Sequence, residues 1–196
     1  MTDQEAGRHQ VLLDFDGLLI NMLPFSDQLE DTEDRSRWVR FFAHTADAKP
    51  VEEGVELVGA LDRIGWRWSI STTRPHTVID RSDEKPQRAP QLPVMREWVN
   101  VHLPGRPRWI YLRRNASDAA VAVKRGHFAA TADAPSPCPA VAFVDDEFDV
   151  VDELCAGGLP GLHITDLAGL SDADLGALLA YSARTVSAPV STLKAK

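Results

Sequence analysis

Short apolar runs alternate with helical patterns along most of this chain. The strand-like runs occupy residues 11–13, 66–71, 109–112, 141–144 and 162–164. Between them, apolar residues recur at spacings of three and four, as they do from Val55 to Ile64 just before Gly65. That spacing, with a glycine past its end, is typical of an amphipathic helix and its C-cap. The alternation predicts a three-layer, Rossmann-like α/β fold, with a parallel sheet and helices on both of its faces.

One run departs from the pattern of a buried parallel strand. In residues 66–71 two tryptophans and Ile70 alternate with Arg67, Ser69 and Ser71. Inner parallel strands usually form continuous apolar runs. This strand is therefore expected nearer an edge of the sheet or under a thin cover.

The chain divides into one domain and two ends. Residues 10–181 are predicted to form a single domain, between a flexible N-terminus at 1–9 and a flexible tail at 182–196. Residues 82–93 and 131–140 are proline-rich and are predicted to be connections. The insert at 21–50 is too short for a full helical cap domain, so only a minimal cap is expected.

Composition excludes several classes of protein. The net charge of -8 disfavours binding of nucleic acid by bulk charge. Cys138 and Cys155 form no CxxC, so a disulfide scaffold and a cysteine-based zinc site are not expected. His44, His76 and His127 lack paired metal-ligand spacing. No apolar run approaches the roughly 18 residues of a membrane span, and no signal peptide is evident. A cytoplasmic location is expected.

Acidic residues directly follow two of the predicted strands. In VLLDFDGLL the first strand leads into Asp14 and Asp16, and in VAFVDDEFD the fourth leads into Asp145 and Asp146. Ligands of open α/β sheets bind at the carboxyl ends of the strands, so these carboxylates should meet at one edge. Clustered anions repel one another unless a cation holds them, and all-oxygen ligation suits Mg²⁺. The sequence therefore predicts a Mg²⁺ site.

A hydroxyl follows the second strand at the same edge of the predicted sheet. The run ends in STTRP, in which Thr72 is the favoured catalytic hydroxyl. Ser71 and Thr73 are the alternatives.

A lysine on a later predicted helix completes the set of candidate groups. Lys124 is the favoured cation, with Arg125 and Lys85 as alternatives. Two carboxylates, a hydroxyl, an ammonium and a metal together are typical of phosphoryl transfer through an aspartyl phosphate. One Asp attacks phosphorus, and a second protonates the leaving oxygen and then activates water. Thr and Lys neutralise and orient the phosphate oxygens.

In their order these residues resemble the four motifs of the haloacid dehalogenase (HAD) superfamily of phosphohydrolases. The motifs are a DxD after the first strand, a Ser or Thr ending the second, a Lys on a later helix and an acidic pair ending the fourth. The matching residues are Asp14-Phe15-Asp16, Thr72, Lys124 and Asp145-Asp146, and the resemblance covers roughly residues 10–165.

The resemblance implies a phosphoric monoester phosphatase and assigns roles to the acids. Asp14 resembles the nucleophile and Asp16 the general acid/base. Asp14, Asp145 and the backbone carbonyl of Asp16 resemble the Mg²⁺ ligands, with Asp146 in or just outside the first coordination sphere.

Within the superfamily, the segments STTRP, LRRNASDAAVAVK and VDDEFDVVDEL are most similar to the phosphatase domain of phage polynucleotide kinase and its small relatives, which remove 3'-phosphates. This likeness favours nucleotide or nucleic-acid 3'-phosphates as substrates. Leu18 stands where Thr or Val usually follows the glycine of the first motif, and we expect this to change only the packing of the loop. The alternatives are a phosphatase of a small metabolite such as a sugar phosphate, and a non-catalytic phosphate-binding regulatory module.

Basic residues are concentrated between Arg106 and Arg125 in this acidic chain. Arg74, Arg113 and Arg114 are the candidates to bind the phosphates of a substrate. Charge balance on a solvated surface is the alternative.

The aromatic cluster Trp38, Phe41 and Phe42 lies in the insert. It is expected to be core or a small cap, and it would favour a nucleotide or nucleic-acid substrate if it were exposed. So little cover predicts an open site, and an open site in this superfamily goes with bulky substrates or with capping by a partner subunit. The protein is expected to be a monomer or a homodimer.

Overall fold

A five-stranded parallel sheet lies at the centre of the structure, a computed structural model that describes residues 8–34, 36–80, 87–133 and 137–187. Its strands are β1 (Gln10–Leu13), β2 (Arg67–Pro75), β5 (Ile110–Arg113), β6 (Ala140–Asp145) and β7 (Gly161–His163). The order across the sheet is β5-β2-β1-β6-β7, and every neighbouring pair is parallel. Each of the five predicted strand runs contributes one strand, which confirms the predicted parallel sheet.

Helices cover both faces of this sheet. They are α1 (Arg37–Ala43), α2 (Glu52–Arg63), α3 (Gln91–His102), α4 (Ala120–Asp133), α5 (Phe148–Ala156), α6 (Ile164–Leu167) and α7 (Asp172–Ser187). Val11 and Leu13 of β1 belong to an apolar cluster with residues of α2, α3 and α7. Leu12 belongs to a second cluster with residues of α4 and α5. Because successive strand residues point to opposite faces, the two clusters are the two cores of a three-layer fold.

Strand β2 is more deeply buried than its sequence predicts. It lies between β1 and β5, and Ser69 and Ser71 are fully buried. The Ser69 hydroxyl donates a hydrogen bond to Gln10 Oε1, and the Ser71 hydroxyl donates to His127 Nδ1 at 2.7 Å. The expectation of a thinly covered strand is wrong, because hydrogen bonds within the protein satisfy the two hydroxyls.

A β-hairpin follows β2 where a connection was expected. Strand β3 (Thr77–Asp80) pairs antiparallel with β4 (Gln87–Pro90), and α3 begins at Gln91. Pro93 lies in the first turn of α3, where the missing N–H breaks no helical hydrogen bond. The predicted connection is therefore wrong for residues 87–93, while residues 81–86 lie outside the described part of the chain.

The last helix extends beyond the expected start of the tail. Helix α7 continues to Ser187, with Ser182 and Ala183 buried against the rest of the protein. Helix α4 likewise continues to Asp133, into residues 131–140, which were expected to be a connection. The remainder of the predicted flexible ends, residues 1–7 and 188–196, lies outside the described residues. Among the helices that the structure describes, none has the length and apolar character needed to cross a bilayer.

The register of the sheet places the ends of three strands side by side. Leu13 of β1 is opposite Ile70 of β2 and Val144 of β6. The Asp14 N–H donates to the Val144 carbonyl at 3.0 Å, so β1 continues beside β6 for one more residue. The residues that follow these strands therefore share one edge of the sheet.

Candidate active site

Three aspartates converge at the carboxyl edge of the sheet. One carboxylate oxygen from each of Asp14, Asp145 and Asp146 lies within 4.8 Å of the others. Asp14 follows β1 and is nearly buried, Asp145 ends β6 and is fully buried, and Asp146 is half-buried. Three of the four acids predicted to converge therefore meet here, whereas the Asp16 carboxylate is not part of this cluster.

Lys124 lies between two of these carboxylates. Its Nζ is 3.1 Å from Asp14 Oδ1 and also contacts Asp145 Oδ2. Burial acts to lower the pKa of Lys124, but the charges of Asp14 and Asp145 outweigh burial and hold that pKa above the ordinary value of a lysine. The two carboxylates therefore favour the charged form of Lys124 inside the site. Of the alternatives, Arg125 donates to the Glu153 carbonyl at 2.9 Å, and Lys85 lies outside the described residues.

The aspartates carry more negative charge than Lys124 balances. Burial, opposed by Lys124, raises the pKa of Asp14 well above its usual value, and Asp145 and Asp16 raise it further. Burial and then the charge of Asp145 raise the pKa of Asp146 to about 6. In addition, Asp146 Oδ1 is buried and has no hydrogen-bond partner among the described residues. An unpartnered oxygen in an all-carboxylate cluster fits Mg²⁺, which prefers oxygen ligands.

A glycine gives the Asp146 carboxylate room to lie beside the first loop. Gly17 has a φ of +86°, in the left-handed region that favours glycine, and its N–H donates to the Ile20 carbonyl at 3.0 Å. A Cβ at this position would clash with the Asp146 carboxylate. Leu18, which stands where the superfamily resemblance predicts Thr or Val, is completely buried.

Asp16 is held by a buried arginine. Arg74 Nε lies 2.9 Å from Asp16 Oδ2, and Nη2 lies 2.6 Å from Oδ1, which is a two-point contact. The Arg74 side chain is 1% exposed and donates from Nη1 to Thr45 Oγ1 at 2.7 Å. Its guanidinium also lies 4.9 Å from the Phe15 ring centroid and 4.6 Å from that of Phe42. Arg74 therefore fixes the orientation of Asp16.

The Thr72 hydroxyl lies beside Asp16. Its Oγ1 lies 3.4 Å from Asp16 Oδ2 and accepts the N–H of Arg74 at 3.1 Å. Ser71 instead pairs with His127, and Thr73 lines the cavity described below. Of the three alternatives, the structure brings Thr72 to the aspartates.

The two remaining candidate arginines lie in different places. Arg113 ends β5 and lines the same cavity as Asp16. Arg114 is exposed and lines a second cavity with His76 and Tyr111, a cavity to which Asp14 and Asp16 contribute nothing. The structure thus brings Arg113, but not Arg114, to the cavity beside Asp16.

The aromatic residues of the insert have separate environments. Phe41 and Phe42 are buried in the core, whereas Trp38 is 45% exposed. All three line a cavity of about 650 Å³ that also includes Asp16, and we call it the aromatic cavity. The expected core role fits Phe41 and Phe42, while Trp38 forms part of an accessible wall.

Two residues that support the site have no clear signal in the sequence. Thr45 is fully buried and accepts the hydrogen bond from Arg74. His163 Nε2 donates to the Asp146 carbonyl at 2.8 Å, and its ring stacks on Phe148. Thr45 lies in an insert without a motif. His163 could have been suspected only because it lies in the fifth predicted strand run, residues 162–164.

The fold is similar to solved structures of HAD-like hydrolases. A haloacid dehalogenase-like hydrolase from Streptococcus pneumoniae has a TM-score of 0.51 and 11% identity over 80% of this chain and 84% of that chain. CbbY from Rhodobacter sphaeroides, solved with phosphate, has a TM-score of 0.48 and 14% identity over 79% and 85% of the two chains. The HAD domain of the effector Lem4 from Legionella pneumophila has a TM-score of 0.44 and 14% identity over 91% and 96%.

No protein-family model and no curated protein matches this sequence. At 11% identity, the similarity to the S. pneumoniae hydrolase shows a HAD-like fold. Fold alone does not determine chemistry, so the function has to be argued from the site.

Proposed function

We propose that this protein is a HAD-type phosphomonoester hydrolase that uses Mg²⁺ and forms an aspartyl phosphate on Asp14. The observation that carries the proposal is the buried contact of Asp14 with Lys124 in a cluster that includes Asp145 and Asp146. A lysine beside a reactive carboxylate positions an incoming phosphate and neutralises its oxygens. Asp16, at the same strand end, supplies a second carboxyl for proton transfer.

In the first half of the reaction, Asp14 attacks the phosphorus of the ester. One carboxylate oxygen of Asp14 forms a bond to phosphorus while the bond from phosphorus to the leaving oxygen breaks. The Asp16 carboxyl gives its proton to that oxygen, so the alcohol leaves uncharged. Lys124 and the Thr72 hydroxyl face the oxygens of the transferred group and stabilise their charge.

In the second half, water releases phosphate from Asp14. The Asp16 carboxylate accepts a proton from the water as its oxygen bonds to phosphorus. The bond between phosphorus and the Asp14 oxygen breaks, which restores both carboxyl groups. Arg74 holds Asp16 through two N–H groups, which fixes the orientation of the Asp16 carboxyl group at the strand end.

The residues that would hold Mg²⁺ are Asp14, Asp145 and Asp146, with the Asp16 backbone carbonyl as the superfamily resemblance implies. When bound, Mg²⁺ neutralises part of the carboxylate charge and polarises the phosphate oxygens.

We further propose nucleotide or nucleic-acid 3'-phosphates as the substrates. In support, Arg113 lines the cavity that contains Asp16, and arginine binds phosphate and carbonyl oxygens well. A substrate panel tests this choice. We expect a 3'-phosphorylated oligonucleotide or a nucleoside 3'-monophosphate to have a higher kcat/KM than ribose 5-phosphate. A preference for the sugar phosphate by orders of magnitude contradicts it.

The class of reaction is tested with para-nitrophenyl phosphate. We expect hydrolysis with Mg²⁺, loss of hydrolysis with EDTA, and no hydrolysis by Asp14→Asn in either condition. Metal-independent turnover would contradict the mechanism. Binding of the ester with Mg²⁺ but without turnover would instead indicate a regulatory module, and circular dichroism of each variant controls for folding.

A further inference from the structure

The aromatic cavity begins at the catalytic edge of the sheet. Asp16, Thr73 and Arg74 form the end that lies beside the strand termini. Since Asp16 is the proposed acid that protonates the leaving oxygen, the space beyond it is where the leaving group extends. This inference rests on the proposed function, because it assigns the leaving group of that reaction to this cavity.

Two elements outside the central sheet supply the walls of the cavity. Helix α1 contributes Trp38, Phe41 and Phe42, and the hairpin contributes Val78 and Ile79. The walls are therefore mainly apolar and aromatic. A planar ring would bury its apolar surface against these walls, whereas a polyol such as a sugar would place most of its hydroxyls against apolar side chains.

Trp38 is the wall residue best placed to contact a ring. Phe41 and Phe42 are buried in the core, and Phe42 also lies against Arg74. Trp38 packs edge-on against Phe41 and stacked on Phe42, but it stays 45% exposed. Its remaining surface is available to a ligand, and an aromatic side chain provides a face on which a ring can stack.

Arg113 adds a polar group to the same cavity. Its Nε is buried without a hydrogen-bond partner among the described residues, and its Nη1 reaches only the Ala116 carbonyl at 3.3 Å. No carboxylate of the described residues forms an ion pair with it. An oxygen acceptor on the ligand would satisfy this guanidinium.

We propose that the aromatic cavity selects phosphomonoesters whose leaving alcohol carries a planar aromatic ring, which stacks on Trp38 and presents an oxygen acceptor to Arg113. The volume of about 650 Å³ lies within the usual range of small-molecule pockets and admits one such unit. A single terminal nucleoside and a simple aryl alcohol share this chemistry. The recognised unit is then the aromatic group of the leaving alcohol rather than a length of polymer.

Three phosphate esters test the proposal. Nucleoside 3'-monophosphate and para-nitrophenyl phosphate carry a ring, and glycerol 2-phosphate does not. The comparison is made between variants on the same ester, so the intrinsic reactivity of each ester cancels. For Trp38→Ala we expect the ratio of kcat/KM for a ring ester to kcat/KM for glycerol 2-phosphate to fall about tenfold, as expected for the loss of one aromatic stack.

Two further variants distinguish the loss of stacking from a nonspecific effect of removing a tryptophan. Trp38→Phe keeps an aromatic face and should restore most of the ratio. Trp109→Ala removes a tryptophan of matching exposure, 49% against 45%, that precedes β5 at the opposite edge of the sheet from the site. That control should leave the ratio unchanged. The effect of Trp38→Ala should fall mainly on KM.

The possible results distinguish failure of the ring-stacking inference from failure of the proposed function. An unchanged ratio in an active Trp38→Ala enzyme overturns the inference and leaves the proposed function standing. Failure of the wild type to hydrolyse any of the esters contradicts the proposed function itself. A response with the nucleotide supports a nucleoside as the ring group, and a response with the aryl ester alone supports a simple aryl group. Should Trp38→Ala fail to fold, Trp38→Leu, which keeps an apolar side chain but removes the aromatic face, carries the same prediction.

Discussion

Arg74 has surroundings in the structure that indicate a different role from the one its sequence predicts. In sequence it is a strand-end arginine suited to binding phosphate, but in the structure its guanidinium is buried and contacts Asp16, Thr45 and two aromatic rings. A positioning residue acts on kcat, whereas a residue that binds substrate phosphate acts mainly on KM. Steady-state kinetics of an Arg74 variant therefore distinguish the two roles.

For Arg74→Met we expect kcat to fall about a hundredfold with little change in KM, because Asp16 loses its fixed orientation. The free energy of unfolding should also fall, because the buried Arg74 guanidinium loses its contacts with Thr45 and with the partly exposed Asp16. Arg74→Lys keeps the charge but cannot make the two-point contact, so it should rescue little of the kcat. A rise in KM alone would show that Arg74 binds substrate instead.

His127 gives a pH dependence of stability that is separate from catalysis. Burial lowers the pKa of His127 to about 4, and the neutral ring accepts from Ser71 and donates to the Leu112 carbonyl. In the unfolded chain this histidine binds a proton near pH 6.5. The stabilisation of the folded state by neutral His127 is therefore complete above pH 6.5 and is lost as the pH falls toward 4.

We expect the free energy of unfolding of the wild type to fall by about 3 kcal/mol more than that of His127→Gln as the pH is lowered from 6.5 to 4. One pKa unit corresponds to about 1.4 kcal/mol. Urea unfolding at several pH values measures this difference. Equal losses in the two proteins would show that His127 is not held neutral.

The carboxylates of the site were predictable as residues, but their supporting contacts were not. Asp14 and Asp145 follow apolar runs, and the end of a parallel strand is where a ligand binds. The contact of Arg74 with Asp16 depends on Phe42 and Thr45, which come from the insert. Nothing in the spacing of these residues indicates that the insert folds back over the strand end.

At the scale of elements, the loop after β1 depends on Gly17. Its positive φ would strain any other residue, and a Cβ there would clash with Asp146. We expect Gly17→Ala to lower the free energy of unfolding by roughly 1–2 kcal/mol and to lose most Mg²⁺-dependent activity. The strain comes from the backbone, and the loss of activity comes from displacement of Asp146.

Gly158→Ala is the matched control for that prediction. Gly158 has a φ of +80°, and apart from its chain neighbours no atom of the described residues lies within 4 Å of the position of its missing Cβ. The strain should therefore be similar, while activity should be retained. Equal activity in the two variants would contradict the role given to the close approach of Gly17 and Asp146.

The strands of the sheet were predictable and the hairpin was not. Val141 to Val144 form an uninterrupted apolar run, as a strand buried on both faces requires. Strands β3 and β4 are short and neighbour a proline-rich stretch, so neither alternation nor propensity marks them. The end of α7 was missed for a related reason, since the contacts that bury Ser182 and Ala183 come from elsewhere in the chain.

Across the whole molecule, acidic and basic residues are distributed unevenly, which the net charge of -8 does not show. Asp14, Asp145 and Asp146 meet at one edge of the sheet. The basic stretch from Arg106 to Arg125 is dispersed instead, because strand β5 and helix α4 direct its members to different surfaces. These three aspartates should therefore bind a divalent cation together.

Mg²⁺ is therefore expected to raise the Tm of the wild type. Saturating cation at a hundred times its Kd would stabilise the folded state by about 2.7 kcal/mol. Asp146→Asn should reduce this shift, and Asp152→Asn, an exposed change on α5, should leave it intact. Thermal unfolding in Mg²⁺ and in EDTA gives the comparison, and equal shifts in wild type and Asp146→Asn would contradict the assignment.

In EDTA the Asp146→Asn variant should be the more stable protein near pH 7. Burial raises the pKa of Asp146 to about 6, so the folded state keeps a proton that the unfolded state releases near pH 4. The stability of metal-free wild type therefore falls as the pH rises through this window, and the amide avoids that loss. If Asp146→Asn were less stable than the wild type in EDTA, the expected repulsion among the three carboxylates would be contradicted.

The most direct test of the account is to identify the residue that carries phosphate during turnover. Enzyme is mixed with a labelled phosphomonoester and Mg²⁺, quenched in acid within the first turnovers, digested and mapped. The account predicts label on the peptide that contains Asp14, with none in EDTA or in Asp14→Asn. Label on a different residue, or turnover by Asp14→Asn at the wild-type rate, would contradict it.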